Sequence, residues 1–344
     1  MKLPHQKPPA KGIWRCLLAC LILFPMPSAA AQKVVATMSS TKAGGSASAG
    51  HLMWLPPHVD EKVPPVEETA CSVGLILGSQ VHAQGVIKST PSLVIPFELV
   101  SGFLVVVDGQ IGNLDGLKFI LDTGSTHSVI DRKVADRLRL QRRPGDVMNF
   151  NGYTAVEWAD ISGLRVGPLS TETLRVMVAK LAEFSEFAGA ADGIIGLDVL
   201  SRSRKFTIDY DRRTVSIQMA DDGTPARLTS PYFVVPLVVQ GLRMDLIVDT
   251  GLQVIVLYKN RLHKRLPRVK TEGKLTNVTM GHSRGTQATL PGVRIAGGEV
   301  VISVMLIDGP DEDALPGVDG VLGTAFLSAK RIEFDFDARI LRWQ

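Results

Sequence analysis

Two aspartates sit in matched settings. Asp122 ends the apolar run of Phe119-Ile120-Leu121-Asp122-Thr123-Gly124-Ser125, and Asp249 ends that of Leu246-Ile247-Val248-Asp249-Thr250-Gly251. In each copy three apolar residues suit a buried strand, and the glycine frees the backbone for a tight turn that leaves the carboxylate at the strand's end. One Asp-Thr-Gly alone is an ordinary turn signature. A second shared feature gives the pair its weight: Asp192-Gly193-Ile194-Ile195-Gly196 follows Asp122 by 70 residues, and Asp319-Gly320-Val321-Leu322-Gly323 follows Asp249 by 70. Two motifs with one spacing in two halves are an internal repeat, which has to be recognised before a fold is assigned. Carboxylates meeting across a pseudo-twofold axis can work as acid and base on one water. At about 3 Å and an effective dielectric of about 20 they repel by roughly 5 kcal/mol, or roughly four pKa units. One of them therefore stays protonated over a wide range, ready to give a proton to a carbonyl while its partner takes one from water.

The repeat runs further. Residues 204–213 (Arg-Lys-Phe-Thr-Ile-Asp-Tyr-Asp-Arg-Arg) read against residues 330–339 (Lys-Arg-Ile-Glu-Phe-Asp-Phe-Asp-Ala-Arg) with one residue of slip. Both are alternating strands ending in an Asp/Arg turn, and each is expected to open a hairpin that closes its own half. Paired Asp-Thr-Gly turns, each followed by an apolar-apolar-Gly element, resemble the aspartic proteases, in particular retropepsin-like domains fused in tandem. The resemblance covers about residues 95 to 344.

That resemblance implies a mostly β fold of two pseudo-symmetric lobes, closed or partly closed β-barrels with short helices, each giving one aspartate. Retroviral members build the site from two identical chains and pepsin-like members from two larger lobes of one chain. The repeat offset of 127 residues between Asp122 and Asp249 is nearer the smaller lobe. One polypeptide is therefore expected to carry both halves, as a monomer with an internal pseudo-dimer. By the same resemblance Asp122 and Asp249 hold the attacking water for peptide hydrolysis, with no cofactor, metal or covalent intermediate; aspartic proteases are the standard example of such a split pair. Thr123 and Thr250 match positions whose hydroxyls hydrogen-bond across the axis, and Gly124 and Gly251 fit the close backbone approach. Ser125 matches a residue that bonds the neighbouring carboxylate in pepsin-like members, whereas Leu252 departs from that pattern and suggests a drier second aspartate.

The first lobe is expected over residues 93–225 and the second over 226–344, divided at the turn cluster Asp221-Asp222-Gly223-Thr224-Pro225. Strands are predicted at 103–107 and 117–121, with Gly and Asn turn signals between them, and at 233–239 as the first strand of the second lobe. Apolar spacing predicts a short helix over 129–140, with a counterpart over 254–266. Residues 141–160 fall where the family places a hairpin over bound peptide, and Tyr153 and Trp158 are candidates to line the cleft from it. Its counterpart near 278–285 carries no aromatic, so asymmetric substrate contacts are expected.

Before the lobes come two other segments. Lys2, Lys7, Lys11 and Arg15 precede an apolar run and then small residues ending near Ala31, which reads as an export signal over 1–31 and a periplasmic or secreted destination. The run is too short to span a bilayer, which takes about 20 apolar residues; a tether through an uncleaved signal or a lipid on Cys20 is the alternative. Residues 32–92 have the Ser, Gly, Ala and Pro content of a linker or propeptide-like segment, and signal removal leaves Cys71 as the sole cysteine, without an internal disulfide.

The rest of the sequence excludes other chemistries. A formal charge of +4 is modest, and the basic run Arg261 to Lys270 lacks interleaved aromatics, which argues against a nucleic-acid partner. The seven histidines show no His-Glu-x-x-His or cysteine-flanked spacing for zinc. Ser125, His127 and Ser128 are neighbours without a nucleophile elbow. Asp192 and Asp319 are expected in turn hydrogen bonds, and Asp198 as a cap of the helix after Gly196. The sequence thus points to an aspartic endopeptidase acting on peptides or proteins, against a weakened peptide-binding relative, motivated by Leu252, or a mainly self-processing chain.

Overall fold

The structure, a computed structural model, describes residues 92–149, 152–183, 191–219, 232–262, 270–276, 284–295 and 298–344. The export signal, the segment around Cys71, the boundary at 225 and most of the hairpin counterpart at 278–285 lie outside the described residues. No helix among the described residues is long and apolar enough to cross a membrane.

The first half comprises β1 (Leu93–Pro96), β2 (Glu98–Val100), β3 (Leu104–Ile111), β4 (Leu114–Leu121) and β5 (Val129–Asp131), then the helix α1 (Arg132–Arg137). It continues with β6 (Arg143–Asn149), β7 (Gly152–Val166), β8 (Leu169–Ala179), β9 (Gly193–Ile195), α2 (Leu197–Leu200), β10 (Ser203–Asp209) and β11 (Thr214–Met219). The second half has β12 (Val234–Val239), β13 (Leu242–Asp249), β14 (Ile255–Tyr258), α3 (Lys259–Leu262), β15 (Lys270–Thr276) and β16 (Arg284–Ile295). It ends with β17 (Gly298–Ile307), β18 (Gly320–Gly323), β19 (Arg331–Asp335) and β20 (Ile340–Trp343).

Each half closes a ring of strands in the same order. In the first, β3, β4, β9, β5, β8 and β7 follow one another and a β3–β7 pairing completes the circuit; in the second, β12, β13, β18, β14, β17 and β16 do so through β12–β16. The fold is mostly β, as the resemblance implies. β9 lies parallel to β4 with Phe119 beside Gly193 and Ile120 beside Ile194, and β18 lies parallel to β13 with Leu246 beside Gly320 and Ile247 beside Val321. The two apolar-apolar-Gly segments are thus strands laid against the aspartate-bearing strands in one shared register. Central strands buried on both faces read as continuous apolar runs. Phe119 and Leu121 accordingly join one core cluster with Val105, Val107 and Ile161, while Ile120 joins another with Val106, Val129, Ile194 and Trp158.

Two expectations are corrected. The segments after each aspartate do not start as helices: Val129-Ile130 and Ile255–Tyr258 are strands parallel to β8 and β17, and helix begins only at Arg132 and Lys259. β-branched residues buried in a sheet outweigh the helical spacing there, and Asp131 starts α1 by accepting from the Lys133 amide at 2.8 Å. The hairpins β10–β11 and β19–β20 also do not close their own halves. They pair with each other in a third sheet of order β1-β11-β10-β19-β20, Phe206 standing opposite Phe334. Those rings stack with centroids 5.4 Å apart, and Phe233 meets Phe334 edge-on. Alternation buries Phe206, Ile208, Ile332 and Phe334 in the large core cluster, so each hairpin finds its apolar partner in the other half.

Candidate active site

β4 and β13 deliver Asp122 and Asp249 to the same place. Both are almost wholly buried, at 2% and 0% exposure, and their carboxyls share a hydrogen bond. Each is also held by its own turn: the Gly124 amide donates to Asp122 Oδ1 at 2.8 Å and the Gly251 amide to Asp249 Oδ1 at 2.6 Å.

The threonines cross the axis. Thr123 N donates to Thr250 Oγ1 at 3.0 Å and Thr250 N to Thr123 Oγ1 at 3.1 Å. The Thr123 hydroxyl donates to the Val248 carbonyl at 2.9 Å and the Thr250 hydroxyl to that of Leu121 at 2.7 Å. Four reciprocal bonds therefore lock the turns, and every buried polar group in the exchange has a partner. The glycines face opposite carboxylates. A β-carbon on Gly124 would collide with the Asp249 carboxylate, and one on Gly251 would lie 3.0 Å from Asp122 Cγ.

Burial, and after it the Asp249 charge and the hydrogen bond between the two carboxyls, hold Asp122 well above the usual carboxylate range; amides of Gly124 and Ser125 pull the other way. The pair can thus retain one proton where free carboxylates would have none.

The remaining sequence candidates fall as follows. The Ser125 hydroxyl donates to the His127 carbonyl at 2.7 Å, not to a carboxylate. Leu252, at its pseudo-equivalent position, is fully buried in the large apolar cluster. The exchange of Ser for Leu therefore removes a bond within the loop. Asp192 accepts from the Lys118 amide at 2.9 Å and Asp319 from the Asp245 amide at 3.0 Å, matched turn bonds in the two lobes. Residues 141–160 do contain a hairpin, β6 paired with β7. Tyr153 pairs with Met148 near its tip, and its side chain lies outside the described residues. Trp158 is 8% exposed at the hairpin base, where it meets the His127 ring edge-on at 5.3 Å and lies under Arg175 at 5.1 Å. Burial, and next the charge of Arg175, lower the His127 pKa. His127 Nδ1 bonds Thr126 Oγ1, and no bond between the His127 ring and a serine hydroxyl occurs among the described residues.

Sequence reasoning missed one element. Asp198 does not cap its helix; its oxygens accept from Ser128 N at 2.9 Å and Ser128 Oγ at 2.7 Å. The signal was present in the spacing, since Ser128 and Asp198 are also 70 residues apart.

Residues 107–202 match the family described as gag-polyprotein putative aspartyl protease. No curated protein matches the chain. Among solved structures, a retropepsin-like aspartic protease from Rickettsia conorii is similar at 14% identity over 37% of this chain and 90% of that one, with a TM-score of 0.27. Basic 7S globulin from soybean is similar at 13% identity over 74% of this chain and 94% of that one, with a TM-score of 0.36.

Proposed function

We propose that this chain, retropepsin-like in sequence over its first lobe and two-lobed and mostly β in fold, is an aspartic endopeptidase whose two lobes, over 93–225 and 226–344, each contribute one catalytic carboxyl. The observation that carries the reading is the buried pair Asp122 and Asp249, hydrogen-bonded to each other and locked by reciprocal threonine bonds. One carboxylate takes a proton from a water held between them, and the protonated partner donates to the scissile carbonyl. The tetrahedral diol then collapses as the amine is protonated. Trp158 props the base of the hairpin, and Tyr153 contacts substrate nearer its tip. The coupled pair titrates as a unit.

The rival reading, a binding relative that has lost turnover, drew on Leu252. The bond made by Ser125 runs to a backbone carbonyl, so its absence from the second lobe takes nothing from Asp249. Incubating purified protein with a mixed peptide library from about pH 3 to about pH 8 tests the two, since the rate profile reports the essential acid and base. Internal cleavage with a bell-shaped profile supports the endopeptidase. Peptide retained but uncut at every pH supports the binder.

The glycine contacts add a second expectation. Gly124→Ala should lower kcat/KM by about a hundredfold or more, because misplacing a reacting group by about 1 Å has that effect. Gly251→Ala, whose added carbon meets Asp122 at 3.0 Å, should be milder. Equal, near-normal rates for both in steady-state assays would contradict the close approach.

A further inference from the structure

We propose that Asp198 is a positioning residue for the first half of the site: a half-buried carboxylate that pins the Asp122 loop through Ser128, with no counterpart at the equivalent position of the second lobe. The inference rests on the endopeptidase reading for its consequence in catalysis, but not for the brace itself.

The geometry is that of a clamp. Ser128 presents its amide and its hydroxyl to Asp198, one to each oxygen, at 2.9 and 2.7 Å. The same hydroxyl oxygen accepts from the Gly196 amide at 3.1 Å, and the Leu197 amide donates to the Ser125 carbonyl at 2.8 Å. The loop leaving Asp122 is therefore tied at two points to the turn between β9 and α2. Both Asp198 oxygens act as acceptors, which calls for the ionised form and makes the bonds charge-assisted. Burial opposes ionisation and raises the Asp198 pKa, while the Ser128 bonds and then the nearby Arg202 oppose that rise. The bonds of this half-buried carboxylate order the loop that carries Asp122.

At the equivalent positions the second lobe lacks both polar side chains of this clamp. Ile255 stands 127 residues after Ser128 and Ala325 stands 127 after Asp198. Ile255 is fully buried among apolar residues. The Asp249 loop is held there by the Gly323 amide on the Val254 carbonyl at 3.0 Å. The loops that follow the two carboxyls are thus held unequally at these positions, that of Asp122 through side chains and that of Asp249 through a backbone bond. Unequal support suits a pair whose members must differ, one fixed as reference and one able to adjust as the proton is exchanged.

The test gives the first lobe the second lobe's residues, Ser128→Ile with Asp198→Ala, beside the milder Asp198→Asn, which retains bulk but cannot accept on both sides. In wild type, amide hydrogen exchange over 122–128 should be slower than over 249–255. In both variants the first segment should speed up by about tenfold. Activity should fall about tenfold in kcat with KM within about twofold, since binding surfaces are untouched and only the placement of the reacting group is loosened. Exchange unchanged in the Asp198→Asn variant overturns the brace, as does a loss confined to KM. Should the double variant not fold, the single variant decides by the same two readouts. Should wild type cleave no peptide, the endopeptidase reading fails while the exchange comparison still judges the clamp.

Discussion

Asp249→Asn is expected to reduce peptide cleavage by at least about a thousandfold, and Asp122→Asn to do the same, with the double variant no worse than either. Acid and base here are two states of one coupled unit, so removing either member removes the function of both, and such losses do not add. The magnitude follows from the contribution of positioned acid–base groups, about 10² to 10⁴. Stability should move the other way with pH. Asp122 holds its proton in the folded chain above the range where the unfolded chain releases it. Folded protein then binds more protons than unfolded protein, and stability falls as pH rises from the ordinary carboxylate range through the raised one. Over about pH 3 to about pH 8 the urea midpoint of wild type should fall relative to that of Asp122→Asn as pH rises. Full cleavage activity in either single variant would remove Asp122 and Asp249 from the chemistry.

Replacing Thr250 with Val should destabilise the chain by about 2–4 kcal/mol, and Thr123→Val by a similar amount. Each hydroxyl serves two buried backbone groups: that of Thr250 serves Thr123 N and Leu121 O, and that of Thr123 serves Thr250 N and Val248 O. Valine retains the shape and leaves both groups unpartnered, at about 1–3 kcal/mol for each. The two threonines are partners in one network, so the double variant should depart from the sum of the single losses, and the cycle measures their coupling. Denaturant titration of the four proteins measures this. Losses under about 0.5 kcal/mol in both single variants would show that the cross-axis bonds do not hold the halves.

Much of this arrangement was legible in the sequence, and the reason is symmetry. The equal spacing of Asp122 to Asp192 and of Asp249 to Asp319 disclosed the repeat, and the structure pairs the two sets of segments in one shared register. Strand ends near Asp122 and Asp249 and the turn roles of Asp192 and Asp319 followed from apolar runs and turn residues, and the β6–β7 hairpin from the family resemblance. What escaped was decided by contacts between distant segments. Val129 and Ile130 have spacing that suits a helix or a strand, and only pairing with β8 and β9 settles it. The hairpins at 204–219 and 331–343 were placed within their own halves because their sequences repeat, whereas their apolar faces match each other across the repeat. Asp198 was assigned the local role its place in the chain suggested, and its real partner lies 70 residues earlier.

The third sheet has a consequence for how a polypeptide could reach the carboxylates. Prising the halves apart would break the β10–β19 ladder from Lys205 and Asp335 to Asp209 and Arg331, and would part Phe206 from Phe334. Raising the β6–β7 hairpin disturbs none of those links, since β6 is bonded only to β7 among the described strands. β15 is likewise bonded only to β16 among the described strands, so under the endopeptidase proposal a long, flexible guest would enter past these outer hairpins while the seam between the lobes stays shut.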